Sequence, residues 1–446
     1  MKVTLLENND RLGGVLYSHQ EDGYLAELGP NSILETSPLV TELIQDIGLE
    51  EDKVYANESS KVRYIVRNKK PVPLPTSPPA FIVSPLFSFL AKLRLIKEPF
   101  IEAWDNRYEE SLSQFVIRRL GQEFLDYAIN PFVAGVYAGD PDTLSVKHGF
   151  PKLYALEQKY GSLIKGQIKG AKERKKRQEV AKQSARMFSF RQGLKMIPDR
   201  IKDLLGSDVQ TNISVKAINK KGDTWEVHTI DSEGKEQVIH AVGVLYTGRI
   251  TDLHHIEIDG KIPDEITEMQ HIYHPPVSVL VLGFRRDQVQ HPLDGFGVLI
   301  PKVEEFQILG VLFSSSMFEN RAPKDHVTLT VFVGGTRQPE NAQKSTEDIL
   351  ALALKDLHTI IGVNGKPTFV HHTYWQQAIP QYNVGYGQYK DSYDHLEETY
   401  PGLYFAGNYR SGISVADTIV NSEEVCERIK KINRKAREEE SQRAQR

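Results

Sequence analysis

The spacing of apolar positions divides the chain into stretches of different character. The opening KVTLLE reads as a short strand ending at Glu7, and Gly13-Gly14 marks a turn behind it. Ser37 stands as an N-cap, Pro38 at the first helical position and Gly48 just past the end, which predicts a helix from about Pro38 to Ile47. Leu39, Leu43 and Ile47 share one face of it. KVRYIVRNKKPVPLP follows as a hairpin with Asn68 and Lys69 at the turn.

From Phe81 to about Pro131 the period becomes helical, as in SLSQFVIRRLGQEFLDYAI, and this insert reads as separate from the strands around it. After Phe190, RQGLKMIPDRIKDLLG predicts a helix, and SVKAINK, TWEVHTI and QVIHAVGVLYTG a three-strand meander. Between about Pro263 and Pro380, strands at VSVLVLGF, FGVLIP, ILGVLFSS and VTLTVFVGG with a helix at EDILALALKDLHTII suggest one broad mixed sheet. GLYFAGN then reads as a buried strand entering a glycine turn, and VADTIVNSEEVCERIKKI as the helix behind it. This late strand is expected to return to the sheet begun at residue 2, whereas the polar tail 431–446 is expected to fray.

Composition adds limits. With 446 residues, 40% hydrophobic and 26% charged, the chain can form two or three domains with substantial cores. A net charge of −4 argues against a general nucleic-acid binder, and the single cysteine, Cys426, leaves neither an intramolecular disulfide nor a cysteine metal cluster. No stretch reaches the roughly 20 apolar residues of a spanning helix, and the charged start is neither a signal nor a transit peptide, so a cytoplasmic protein is expected.

The opening strand carries the first candidate chemistry. In a dinucleotide-binding unit, a glycine loop sets the pyrophosphate on a helix N-terminus, and an acid about 20 residues on binds the ribose. Glu7 fits that acid, yet no G-x-G-x-x-G occurs anywhere in the chain. On this reading residue 1 falls near the loop into the second strand, and about 20–30 residues of first strand, glycine loop and helix are absent. The alternative is a plain short strand with no dinucleotide.

Five segments in order, ENNDRLGG, ELGPNS, NPFVAGVYAGDPDTLSVKHGFPKLY, WQQAIPQYNVGY and GLYFAGNYRSGISVADTI, resemble the protoporphyrinogen oxidase family over about residues 2–425. ENNDRLGG and LYFAGN are shared across the wider flavin monoamine oxidase and desaturase superfamily and point only to FAD. The run Pro131 to Pro151 is narrower and is similar to porphyrinogen oxidases. The resemblance implies an α/β fold: an FAD-binding, Rossmann-like (GR2-type) domain at 1–75, 189–255 and 396–430, a helical membrane- or substrate-binding insert at 76–188, a mixed-sheet substrate domain at 256–395 and the tail 431–446.

It also implies the cofactor contacts. Glu7 would hold ribose; Arg11, Gly13 and Gly14 would lie at the phosphates, the glycines letting backbone amides approach. Gly29, Pro30, Asn31 and Ser32 resemble the turn beside the flavin ring, and Gly407, Asn408, Ile413, Ser414 and Val415 the stretch whose helix N-terminus faces it. Val209 resembles the position whose backbone holds adenine, and Trp375 with Tyr374 would wall the flavin pocket. Each position also has a plain reading as turn, core or strand residue.

The implied reaction is six-electron oxidation of a porphyrinogen in two-electron steps, with dioxygen as oxidant and hydrogen peroxide as product, FAD carrying the chemistry. No catalytic side chain and no metal site are expected; the adjacent pairs His254-His255 and His371-His372 would face opposite sides of a strand. The substrate carboxylates call for Arg or Lys, but LPTSPPAFIVS has no basic residue where relatives place an arginine. Lys92 and Arg94 are the nearest candidates, so protoporphyrinogen and coproporphyrinogen both stay open.

Two stretches suit a peripheral membrane contact: the apolar PPAFIVSPLFSFLAKLRLIK, and Lys165 to Arg186 with nine basic and two acidic residues. A pocket roof and a solvated helix are the respective alternatives. A homodimer is a further expected partner state. Two other readings remain: a different FAD oxidoreductase, disfavoured because amine oxidases carry Thr-Glu where this chain has Asn408-Tyr409, and a cofactor-free scaffold.

Overall fold

The computed structural model describes residues 2–105, 107–177 and 185–444. Its centre is a seven-stranded sheet in the order Phe369–Trp375, Val277–Arg285, His326–Gly334, Ile308–Leu312, Gly297–Leu299, Arg63–Arg67, Lys70–Pro73. All neighbours are antiparallel except Gly297–Leu299 with Arg63–Arg67. Strand alternation sorts the side chains between two faces. Leu280, Leu282 and Phe284 join Leu329, Val331 and the helix Thr346–Ile361 on one face; Val277, Val279 and Val281 meet Tyr24, Ala26, Leu28 and Ala134 on the other. The second face therefore holds the strand Tyr24–Glu27 and the helix Asn130–Tyr137, from which the candidate site is built.

The hairpin forms as expected, with Asn68 and Lys69 both at positive φ (52° and 63°). It does not stay with the N-terminal strands, however, but extends the seven-stranded sheet. The predicted helix runs Pro38–Asp46, and Ser37 Oγ accepts the Leu39 amide.

The helical segment comprises Pro78–Val83, Phe89–Lys97, Leu112–Arg119, Asn130–Tyr137, Pro151–Tyr160 and Leu163–Arg177, with shorter turns between. A capping box of Ser111 and Gln114 starts the third of these helices. Two arginines lock the segment from inside. Arg119, fully buried, pairs with Glu98 at 3.2 Å and with Glu157, while Arg118 pairs with Glu110 at 2.7 Å and Glu157 at 2.8 Å. Of the basic stretch Lys165 to Arg186, residues 178–184 lie outside the described residues.

The remaining strands differ from expectation in two respects. Leu5–Leu6 pairs in parallel with Val209–Gln210, and Leu403–Phe405 pairs in parallel with Val244–Tyr246. The late strand thus does not hydrogen-bond to the strand begun at residue 2, because no strand among the described residues lies between the two pairs. QVIHAVGVLYTG is likewise not one strand: Glu236–Ala241 completes the meander, and Val244–Tyr246 leaves it to meet the late strand. Of the tail expected to fray, residues 431–444 continue the helix Val415–Ala444, and 445–446 lie outside the described residues. Among the described residues no helix is long and apolar enough to cross a membrane.

Candidate functional site

The site grows from four chain segments that meet beside the second face of the large sheet. The first is the turn 13–16, closed by the Leu16 amide on the Gly13 carbonyl at 2.8 Å. Gly13 has φ +95°, and a Cβ there would lie 2.6 Å from Pro198 Cγ, so only glycine fits. Arg11 braces this turn: its guanidinium donates to the Gly14 carbonyl at 2.8 Å and stacks over Tyr17 at 4.1 Å. Glu7 ends the opening strand, and its Oε1 accepts both the backbone and the side-chain N–H of Asn9.

The second segment is the turn Gly29, Pro30, Asn31, Ser32. A Cβ on Gly29 would stand 2.2 Å from the Val15 carbonyl oxygen, which shows how closely this turn lies on the first. Asn31 Nδ2 donates to the Gly29 carbonyl at 3.1 Å. Third, Trp375 reaches this turn from the edge strand of the large sheet, its indole N–H donating to the Leu28 carbonyl at 2.7 Å. Tyr374 does not join it. Successive residues of a strand face opposite sides, and Tyr374 is exposed.

The fourth segment runs from Gly407 to Val415. Asn408 begins a one-turn helix, Asn408–Ser411, and Ile413 packs against the cluster that contains Tyr382, Tyr386 and Tyr409. Ser414 caps the long helix, its Oγ accepting the Asp417 amide at 3.1 Å. Val415 and Ala416 pack against Ile33, Val40 and Ile44, which seats this helix start beside the 29–32 turn. Gly29, Pro30, Asn31, Ser32, Trp375, Ile413, Ser414 and Val415 are all partly open, as a ligand groove requires.

Val209 lies on the other side of the opening strand, paired with Leu5. The Gln210 carbonyl turns toward the Glu7 amide, so the alternation of the strand turns the Val209 peptide groups to the outer edge, which pairs with no strand among the described residues. The site thus offers a free backbone edge at one end, an acid at the strand tip, a glycine turn, and an aromatic wall with a capped helix start at the other end. These features fit the adenine, ribose and ring ends of a dinucleotide.

The basic candidates sit elsewhere. Lys92 Nζ donates to the Ile82 and Ser84 carbonyls, and Arg94 to those of Ile117 and Arg118, so both tie helices together. His371 and His372 do face opposite ways, His371 stacking on His19 at 4.4 Å and His372 bonding Thr346 and Ser278. His254 and His255 do not: they lie on a 3-10 turn, with ring centroids 3.8 Å apart. No metal-binding cluster occurs among the described residues. Two polar cavities, of about 460 Å³ around Lys53 and Arg191 and about 260 Å³ around Lys261 and His395, share no lining residue with this groove.

Sequence reasoning missed Tyr382. It lies within WQQAIPQYNVGY, but nothing local distinguishes it from a core tyrosine. In the fold its hydroxyl bonds Asn408 and Gly412.

The family model for flavin-containing amine oxidoreductases matches residues 1–430, and the chain belongs to that family. It is 36% identical over 468 residues to protoporphyrinogen oxidase 2, chloroplastic/mitochondrial, of Arabidopsis thaliana, covering 97% of this chain and 92% of that protein. It is 28% identical over 434 residues to coproporphyrinogen III oxidase of Bacillus subtilis, covering 94% and 89% respectively. A crystal structure from Exiguobacterium sp. 255-15 superposes with a TM-score of 0.78 at 23% identity, covering 96% of this chain and 92% of that one.

Proposed function

We propose that the chain is an FAD-dependent oxidase that converts a porphyrinogen to the porphyrin, with dioxygen as acceptor and hydrogen peroxide as product, in haem biosynthesis. One observation carries the reading: the segment Pro131 to Pro151, which resembles porphyrinogen oxidases, is hydrogen-bonded through 381–384 to the turn that leads into Val415. Relatives named for both protoporphyrinogen and coproporphyrinogen oxidation cover nearly the whole chain.

Bound FAD supplies the two-electron acceptor chemistry. The chain's own residues do the rest. Val209 would present its backbone edge to the adenine and Glu7 its carboxylate to the ribose hydroxyls; the 13–14 turn, braced by Arg11, would hold the phosphates. Gly29 to Ser32 and Trp375 would hold the ring. The amides at Ile413 to Val415, at a helix N-terminus, would favour negative charge on it. Tyr382 and Tyr386, whose burial pushes their phenols far up, stay protonated and only orient the backbone. The test is porphyrin formation from protoporphyrinogen in air by purified protein supplied with FAD.

A membrane contact is the second part of the proposal. Ile82, Val83, Phe89, Leu90, Ile96 and Phe100 lie on consecutive helices and are 66% to 85% exposed, although apolar side chains clustered on a surface mark an interaction site. Such a face would receive a sparingly soluble porphyrin from, or hand it to, a lipid surface.

A further inference from the structure

The one-turn helix Asn408–Ser411 has no side-chain cap of its own. A single helical turn is too short to hold its shape unaided, so its geometry is imposed by neighbours. Tyr382 imposes it at both ends. Its O–H donates to the Asn408 carbonyl, and its Oη accepts the Gly412 amide at 3.0 Å. Tyr386, with its ring 4.5 Å from that of Tyr382, donates to the Tyr409 carbonyl in the same turn.

The backbone on which Tyr382 sits is fastened to the opposite side. The Ser145 amide donates to the Tyr382 carbonyl at 2.8 Å, the Val384 amide donates to the Thr143 carbonyl at 2.9 Å, and Asn383 bridges Leu144. Gln381 Nε2 adds a bond to the Tyr137 carbonyl at 2.8 Å. Residues 381–384 therefore bind 137–145 by main chain and by the Gln381 side chain, and they reach both ends of 408–412 through the buried Tyr382 hydroxyl. Tyr382 is thus a direct bonded route from the helical segment to the turn before Ile413, beside the bond of Tyr386 to Tyr409.

We propose that Tyr382 is a positioning residue that couples the segment 137–145 to the Gly412–Val415 turn, so that a porphyrin bound on the helical side and FAD bound on the other affect each other's affinity. The assignment rests on the proposed function for the identity of the two ligands. Coupling between sites is reciprocal, and a bonded link of this kind predicts an effect of about fivefold or more.

The experiment measures FAD dissociation constants by flavin fluorescence, with and without saturating protoporphyrin, for the full chain and for Tyr382→Phe. In wild type the porphyrin changes FAD affinity by about fivefold or more; in Y382F FAD still binds, about tenfold more weakly, and the porphyrin-induced change disappears. A purely structural role would lower affinity but leave the change intact, and that result overturns the proposal, as does a wild type that shows no change. Should Y382F not fold, Val384→Pro removes one of the bonds that fasten 381–384 to 137–145, with the hydroxyl in place. A porphyrin-induced change smaller than that of wild type supports the proposal there, and an undiminished one overturns it. A wild type that binds both ligands with coupling but forms no porphyrin from porphyrinogen would refute the proposed reaction and not the link.

Discussion

The indole N–H of Trp375 donates to the carbonyl of Leu28 at 2.7 Å, joining the edge strand of the large sheet to the turn that begins at Gly29. The two residues are 347 positions apart, and this bond sets the distance between the aromatic wall and the glycine turn. Trp375→Phe keeps an aromatic side chain at this position but removes the N–H that the Leu28 carbonyl accepts. It is expected to destabilise the protein by about 1–3 kcal/mol and to weaken FAD binding; urea denaturation and flavin fluorescence titration check the two effects separately.

Arg119 holds Glu98 and Glu157 with no exposure on any of its atoms to speak of. Arg119→Met strands two buried carboxylates, of which Glu157 retains Arg118 and Glu98 retains only hydroxyl and amide donors. Loss of about 3–5 kcal/mol is expected from chemical denaturation. A change below about 1 kcal/mol would mean that the network contributes little.

Burial lowers the pKa of His274, whose ring nitrogen bonds the Ile272 carbonyl. Its neutral form is thus favoured in the folded state. The stability it contributes is complete above the unfolded value of about 6.5 and falls as pH drops through that value toward the lower folded one, because the unfolded chain takes up the proton first. His148, His291, His371 and His372 are lowered for the same first reason. Urea midpoints at pH 7.5 and 5.5 should differ less in His274→Asn than in wild type; an equal or greater difference contradicts the assignment.

The exposed apolar helices give a test of their own. Replacing Phe89, Leu90 and Phe100 by Ser removes apolar area that is already in water, so thermal stability should hold while sedimentation with anionic phospholipid vesicles falls by about tenfold or more. Unchanged vesicle binding would remove the membrane reading.

Much of this was legible locally. Ser37, Pro38 and Gly48 delimit a helix by capping chemistry, and Asn68-Lys69 turn a hairpin in which both residues take positive φ, a conformation that Asn favours. What stayed hidden is non-local pairing. The hairpin's parallel partner, Gly297–Leu299, is more than two hundred residues away, and nothing in KVRYIVRN specifies it. The chain likewise leaves the meander at Gly243 to meet Leu403–Phe405, which one apolar run disguised as a single strand. Glycines and Trp375 were placed by resemblance, whereas Tyr382 is visible only when the fold brings Asn408 and Gly412 to its hydroxyl.

The most direct test supplies FAD to the purified chain, adds protoporphyrinogen in air, and follows porphyrin fluorescence together with oxygen uptake. The account predicts porphyrin formation well above the spontaneous rate, with three dioxygen molecules consumed and three of peroxide formed per porphyrin, as removal of six electrons requires. Flavin-loaded protein that leaves the spontaneous rate unchanged, for coproporphyrinogen as well as protoporphyrinogen, would contradict it.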